Sequence, residues 1–235
     1  MARVRPLAGG GREVDVAPER LERWLTDFAD RHGDVLWTAT AEGVRGVAAD
    51  GATALCVVPF PPLPPSDSGP LAALVSHARQ ERRVAVLLAR LGGHAAGVFE
   101  GDRLVASKVG SRHVQGRSAA GGWSQQRFAR RREGQARGAA GAAADVAARV
   151  LLPEVGALHA LVLGGERRAV AAVLDDPRLA PLRPLVTQPF LDVPDPRQRV
   201  LEAAPADFRA VRIRVRDPGE REGAHAPDSV APEEQ

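Results

Sequence analysis

Two adjacent glutamines, Gln125 and Gln126, are the side chains in this sequence best placed to handle a polar ligand without carrying charge. A carboxamide accepts a hydrogen bond through its carbonyl oxygen and donates through its NH2 group, although it is a poor general base. The preceding glycines, Gly121 and Gly122, permit positive φ angles and a close approach of the backbone to a ligand. This short stretch therefore has the composition of a binding or reactive loop.

Basic residues surround the glutamines on both sides. Between positions 108 and 137 the sequence holds eight lysines or arginines and a single acid, Glu133. They are Lys108, Arg112, Arg117, Arg127, Arg130, Arg131, Arg132 and Arg137. The stretch after the loop predicts a helix that begins near Ser124, whose hydroxyl is suited to capping a free backbone N–H. Cationic side chains beside the positive end of a helix suit phosphate.

The net charge is unevenly distributed along the chain. The whole sequence carries +3, but residues 217–235 hold six acids and one arginine, so the preceding residues carry about +8. A basic body suggests a polyanionic partner. Lys108 is the only lysine, and arginine favours bidentate contacts with phosphate. We expect the acidic, proline-containing end to be disordered.

Several classes of protein are disfavoured by composition. Cys56 is the single cysteine and the six histidines are scattered, so neither a disulfide framework nor a metal-ligand spacing is present. No apolar run is long enough for a membrane span, and the first residues lack the apolar segment of a secretion signal. We therefore expect no metal, no organic cofactor and no membrane partner, and we expect the protein to be cytoplasmic.

The first 66 residues predict a small αβ extension. Residues 1–16 look loosely ordered, and Pro18–His32 predicts an amphipathic helix ended by Gly33. Short strands are expected over Val35–Thr40, Val44–Ala49 and Ala52–Val58, with a hairpin turn at Asp50-Gly51. A proline-rich connection over residues 59–70 leads into the main body.

Residues 67–216 predict a mixed sheet with helices, in an α/β or α+β fold. A short helix over Leu71–Glu81 leads into an antiparallel meander of three strands, and alternating helices and strands follow. The meander strands are Val84–Leu91, His94–Phe99 and Arg103–Val109, and the later elements are a helix over Ser124–Leu152, a strand over Ala157–Leu163, a helix over Glu166–Leu174, a strand over Leu185–Leu191 and a helix over Pro196–Ala203. Val, Arg and Ile alternate over Ala210–Val215, which predicts an edge strand with one solvated face. Residues 217–235 form the acidic tail.

This order of elements, with its Gly-Gly loop and basic helix, resembles the catalytic domain of eukaryotic and archaeal class-one release factors. The motifs that carry the resemblance are Gly110-Ser111-Arg112-His113, the segment Gly121-Gly122-Trp123-Ser124-Gln125-Gln126-Arg127-Phe128, and Arg130-Arg131-Arg132. They resemble the Vms-type branch, and more narrowly its actinobacterial peptidyl-tRNA hydrolases. Release factors carry Gly-Gly-Gln contiguously, whereas here Gly122 to Gln125 satisfies the looser Gly-x-x-Gln of that branch.

The resemblance implies a ribonuclease-H-like sheet and a hydrolase acting on peptidyl-tRNA in a stalled large ribosomal subunit. It implies that Gln125 is the active amide, with Gly121 and Gly122 shaping the loop and Gln126 and Ser124 in support. RNA contacts are expected from Arg112, Arg117, Trp123, Arg127, Arg130, Arg131 and Arg137. The implied partners are the large subunit, its ribosomal RNA and peptidyl-tRNA, and we expect a monomer.

Alternatives remain open at this point. Gln126 is the other candidate for the active amide, and Trp123 is either a base-stacking platform or an anchor for the loop. Cleavage of the tRNA near its 3′ end is a second chemistry for the same substrate, and a non-catalytic RNA-binding module is a third function. Glu100 and Asp102 are interpreted as turn residues rather than metal ligands, and Gly164-Gly165 as a turn rather than a phosphate loop.

Overall fold

The computed structural model describes residues 3–111 and 125–220, and for residues 125–133 it describes the backbone alone. The described chain forms two compact units. The first unit contains the residues up to Arg79 and those from Ala210 onward, and the second contains Gln80–Arg209. These units differ from the predicted segments 1–66, 67–216 and 217–235, because a helix and a strand assigned to the main body join the first unit.

The first unit is built on a six-stranded antiparallel sheet in the order β1-β2-β11-β5-β4-β3. Its strands are β1 (Arg3–Pro6), β2 (Arg12–Val16), β3 (Val35–Thr40), β4 (Gly43–Ala48), β5 (Thr53–Val57) and β11 (Val211–Arg216). Helices α1 (Leu21–His32) and α2 (Pro70–Arg79) contribute Leu21, Phe28 and Leu74 to its buried core. A 3-10 turn over Pro18–Arg20 leads into α1, and Gly33 ends that helix with a φ of 80°. The predicted helix and hairpin strands are therefore confirmed.

Two sequence predictions for this unit were wrong. Residues 3–16 are not loosely ordered, because β1 and β2 form a hairpin whose Val14 and Val16 are buried and whose Arg5 contacts Asp15 at 2.9 Å. Strand β11 is not an edge strand, since it pairs with β2 on one side and β5 on the other. Its alternation reflects one face packed in the core and one face of arginines.

The second unit contains a five-stranded mixed sheet in the order β10-β9-β6-β7-β8. Its elements are β6 (Arg83–Arg90), β7 (Gly93–Glu100), β8 (Arg103–Ser111), α3 (Gln125–Leu151), β9 (Ala160–Gly165), α4 (Arg167–Leu174), β10 (Val186–Leu191), α5 (Gln198–Glu202) and α6 (Pro205–Phe208), with 3-10 segments over Leu152–Glu154 and Pro177–Leu185. The first three strands form an antiparallel meander, and β9 and β10 are parallel additions beside β6. The predicted ribonuclease-H-like mixed sheet is confirmed.

Helices cover both faces of this sheet, which explains why β6 is a continuous apolar run. Ala85 and Leu87 face the cluster that contains α3, α4 and the second 3-10 segment. On the opposite face, α5 contacts β7, and Phe208 of α6 packs edge-on against Phe99 with ring centroids 5.6 Å apart. Among the described residues, no helix is both long and apolar enough to cross a membrane.

Cys56 provides a direct test of the first unit's core. The thiol is fully buried in β5, as predicted, and burial raises its pKa to about 12. Because the thiolate is the reactive form, we expect a maleimide reagent at pH 8 to leave folded protein unmodified and to label it as denaturant unfolds the chain. The control is Cys56→Ala with Ser68→Cys, whose thiol is exposed and should react at once. Immediate stoichiometric labelling of the unaltered protein would contradict this packing.

Candidate functional site at the start of the long helix

Helix α3 begins at Gln125, the first residue described after Ser111. The predicted residues Arg112, Arg117, Gly121, Gly122, Trp123 and Ser124 lie outside the described residues. The backbone at Gln125, Gln126, Arg127, Arg130 and Arg131 is helical, and their side chains also lie outside the description. The predicted helix is therefore present from Gln125 onward, and its predicted start near Ser124 lies outside the described residues.

The carboxyl-terminal half of α3 anchors the helix to the sheet. Ala143, Ala144, Ala147 and Leu151 are buried and pack with Ala96 and Val98 of β7. From Gly134 to Ala142, by contrast, every described side chain is exposed or half-buried. Among the described side chains of α3, Ala140 is the first that packs against this core, and Gln125 lies fifteen residues before it, about 22 Å along the helix axis. The backbone of α3 is thus helical from Gln125 to the packed segment.

Arg137 is the one predicted RNA-contacting residue whose side chain is described. It is exposed, and within the described residues it makes no hydrogen bond or ion pair. At 100° per residue it lies about 60° from the centre of the buried alanine stripe, on the same edge of that stripe as the exposed Gly134 and Gly141. Gly134, Gly138 and Gly141 each disfavour a helix, yet α3 is continuous over 27 residues.

His94 and Gly110 form the base from which the undescribed segment departs. They are paired across β7 and β8, one residue before β8 ends. A Cβ atom on Gly110 would lie 2.3 Å from Nε2 of His94, so only glycine leaves room for the buried ring. Burial also lowers the pKa of His94, which favours the neutral imidazole. Gly110, part of the motif that carried the sequence resemblance, thus has a packing role in the structure.

A cavity of about 220 Å³ lies where α3, α4 and the β6–β7 hairpin meet. Alanines of α3 form one wall, and the polar lining comes from Arg90, His94, Glu166 and Arg168. Arg90 donates from Nη1 to the carbonyl of Val193 at 2.6 Å. The residue of α3 nearest Gln125 in this lining is Ala136, eleven residues or about 16 Å further along the helix. Sequence analysis missed this cavity because its residues come from three separate segments.

The carboxylates of the β7–β8 turn are occupied by arginines. Glu100 pairs with Arg83 and Arg103, and Asp102 lies 3.7 Å from Arg209. These contacts agree with the turn interpretation. Within residues 3–111 and 125–220, no three His, Cys, Asp or Glu side chains are grouped to hold a metal ion.

The glycines that end β9 serve packing as well. A Cβ on Gly164 would lie 2.7 Å from Cβ of Leu191, and Gly165 adopts a φ of 101° beside the carbonyl of Ala89. Glu166 occupies the N-cap position of α4, where its negative charge disfavours phosphate. The turn interpretation of Gly164-Gly165 therefore agrees with the geometry better than a phosphate loop does.

Comparison with protein families adds a decisive observation. A family model described as "Actinobacteria/chloroflexi VLRF1 release factor" (acVLRF1) matches residues 82–214, which is more than half of the chain. The chain belongs to this family. The resemblance stated from the Gly-Gly and arginine motifs is thereby confirmed, and the acVLRF1 match covers both the meander and α3.

Comparison with solved structures gives distant similarities. An archaeal protein is 14% identical over 69% of this chain and 51% of its own, with a TM-score of 0.37. The archaeal translation termination factor aRF1 is 12% identical over 83% of this chain and 73% of its own, with a TM-score of 0.40. The Vms1 mitochondrial localization core is 12% identical over 83% and 80%, with a TM-score of 0.37. The chain thus spans about half the length of the first of these proteins. Comparison with curated sequences found no match.

Substitution of Gly110 tests the base of the loop. Gly110→Ala should lower the free energy of unfolding by about 1–3 kcal/mol, the usual cost of overpacking, because the new methyl meets the His94 ring. The same substitution in a His94→Ala background should cost clearly less, since the ring is gone. Urea unfolding of the four proteins in this cycle measures both values. An equal cost in the two backgrounds would show that the Gly110–His94 contact is not what requires glycine.

Proposed function

We propose that this acVLRF1 protein is a peptidyl-tRNA hydrolase that releases nascent peptides from stalled large-subunit complexes. The family description as a release factor supports action on the ribosome. The observation that carries the proposal is that α3 is continuous from Gln125 to the segment Ala140–Leu151 that packs on the sheet, about 22 Å along the helix axis. A glutamine side chain near the amino-terminal end of such a long helix is suited to reaching a reaction centre enclosed by RNA.

Gln125 would position the attacking water rather than deprotonate it. Its carbonyl oxygen accepts a hydrogen bond from the water while its NH2 donates to the substrate or to RNA. The water oxygen then attacks the ester carbonyl, and the ester bond breaks to leave a peptide acid and the free 3′-hydroxyl of the tRNA. Orientation of this kind lowers a barrier by several kcal/mol. A backbone N–H near Gln125 would stabilise the oxyanion, with Gly121 and Gly122 allowing the approach and Ser124 and Gln126 in support.

Arginines of the amino-terminal half of α3 would bind RNA phosphates and so keep this part of the helix in contact with the RNA. At 100° per residue, Arg127, Arg130 and Arg131 fall within about 120° of Arg137, which is exposed. The buried Ala143 and Ala147 lie about 120° and 80° from Arg137 in the other direction, so helix positions 127, 130 and 131 are turned away from them and are the ones left for a partner. Arg112, Arg117 and Trp123 complete the proposed contacts on sequence grounds.

Replacement of Gln125 tests the catalytic role. Gln125→Ala should slow peptide release at least about 100-fold, the effect of removing one positioned hydrogen-bonding group, while binding to the large subunit is retained. The measurement is release of labelled peptide from isolated large subunits that carry peptidyl-tRNA. Gln135→Ala, ten residues later on the same helix, is the matched control and should release at the normal rate. Gln126→Ala in parallel identifies which amide acts.

The same reaction distinguishes the other candidate activities. Released peptide together with full-length tRNA supports ester hydrolysis. A tRNA shortened at its 3′ end would instead show that the protein acts as a nuclease. Binding without either product would leave a non-catalytic RNA-binding module. Normal release by both Gln125→Ala and Gln126→Ala would remove the carboxamide from the mechanism.

Salt dependence tests the arginine side of α3. Each arginine that neutralises a phosphate contributes about −0.7 to −0.9 to the slope of log K against log salt. Arg130→Gln with Arg137→Gln should therefore reduce the slope for large-subunit binding by about 1.4 to 1.8. Arg149→Gln, exposed on the packed half of the same helix, is the control and should leave the slope unchanged. Equal slopes for all three proteins would rule out an RNA-holding role for these side chains.

A further inference from the structure

The outer face of the sheet in the first unit is covered with arginines. Strand register places six of them on the side opposite the buried core, with Glu13 and Asp15 as the acids of that face. They are Arg3, Arg5, Arg45, Arg212, Arg214 and Arg216. The α1–α2 core lies on the other side, where Val14, Val44, Cys56 and Ile213 are buried. We call this outer side the arginine face.

Ion pairs on the arginine face are concentrated at one end of it. Arg5 contacts Glu13 at 3.1 Å and Asp15 at 2.9 Å, and Arg214 contacts Glu13 at 3.2 Å. Arg45, two strands from Arg214 and nearer the β3 edge, makes no hydrogen bond or ion pair within the described residues. Its nearest cross-strand neighbours are Thr38 and Leu55. The strand residues of this face thus carry more guanidinium groups than carboxylates, and Arg45 is the one farthest from Glu13 and Asp15.

This excess needs a counter-charge. Arg212, Arg214 and Arg216 are alternate residues of one strand, spaced by about 6.7 Å, and Arg45 lies two strands from Arg214, at about 9.6 Å. Like charges at these distances still repel, because the separations are close to the Debye length of about 8 Å at physiological salt. An extended polyanion lying across β11 and β4 would relieve the repulsion at several points together.

The chemistry of the arginine face fits RNA. Guanidinium groups make bidentate contacts with phosphate, and alternate residues of β11 have a spacing similar to that of successive phosphates in an extended strand. Beside them, Leu36 is 72% exposed and pairs directly with Val47, which is 43% exposed. This apolar pair is suited to contact with a ribose or the face of a base. Trp37 points to the other side of the sheet, so backbone contacts dominate and little sequence is read.

We propose that the arginine face is a second RNA-binding surface, carried by the first unit and separate in sequence from α3. It binds the phosphate backbone through Arg45, Arg212 and Arg214, with Leu36 and Val47 as an apolar border. The surface does not depend on the assignment of Gln125, and it gives the first unit a role in engaging ribosomal or transfer RNA.

The test uses the full chain and a fluorescein-labelled 12-nucleotide oligouridylate, with binding followed by fluorescence anisotropy. Arg45→Gln with Arg214→Gln should weaken binding at least fivefold and lower the salt slope by about 1.4, the value for two contacts with a single strand. Arg20→Gln with Arg23→Gln, exposed in the 3-10 turn and on α1 of the same unit, is the control and should bind normally. Thermal unfolding of both variants verifies that they are folded.

Crosslinking separates this surface from α3. A 4-thiouridine form of the same RNA, irradiated in complex with the unaltered protein, should crosslink to peptides from residues 36–47 or 211–216. Crosslinks confined to residues 125–137, or an unchanged affinity of the Arg45/Arg214 variant, would overturn the proposal.

Two other anionic partners are tested in the same way. The probes are phosphatidylserine vesicles and a synthetic peptide of residues 221–235, which carries four acids and one arginine. The proposal is overturned in favour of one of these partners if that partner binds the unaltered protein, fails to bind the Arg45/Arg214 variant, and RNA binding by the variant persists. Loss of RNA binding alone supports it.

Discussion

Close packing of small side chains between α3 and the second unit's sheet is the constraint on which the rest of the molecule depends. Alanines at 143, 144 and 147 meet Ala96 and Val98 across the interface, and small side chains let a helix lie close to a sheet. Among the described side chains of α3, the buried ones all lie in this carboxyl-terminal half. The nearest of these alanines, Ala143, is eighteen residues from Gln125, about 27 Å along the helix axis.

The amino-terminal half of α3 is unusual for a helix of a folded unit. Its residues 125–139 include five arginines, two glycines and one glutamate, so it has neither an apolar stripe nor balancing acids. Repulsion among the arginines and the backbone entropy of glycine both oppose the helix. An RNA partner would remove the first of these costs by neutralising the charge. The same segment would then be only weakly stabilised in the free protein and more strongly stabilised when RNA is bound.

Sequence reasoning predicted the second unit well because its signals are local. The meander strands are apolar runs separated by Gly-Gly and Gly-Asp turns, and α3 is a long proline-free segment. It failed where pairing is non-local: nothing near Arg12 or Val14 shows that β11, about 200 residues later, will provide their partner strand. The alternation in β11 was recognised, but one polar face is equally compatible with an edge strand and with an interior strand of an open sheet. Gly110 was noticed as part of a motif, whereas its packing against His94 required coordinates.

Ion pairing offers a physical criterion for sorting the arginines of such a basic chain. Arg83 bridges Glu100 and Glu154, and Arg178 bridges Asp145 and Asp176, where it holds the pKa of Asp176 at about 2. These guanidinium groups are already satisfied and serve the fold. Arg45 and Arg137 have exposed charges without such partners in the described residues, and each lies among further arginines. A missing partner is weak evidence for one surface arginine, because exposed pairs contribute little stability in any case. A missing partner becomes stronger evidence when such arginines cluster. Several unbalanced cations on one face repel each other and raise the free energy of the isolated protein, and a bound anion removes that repulsion. Both proposed RNA surfaces meet that condition, whereas Arg83 and Arg178 do not.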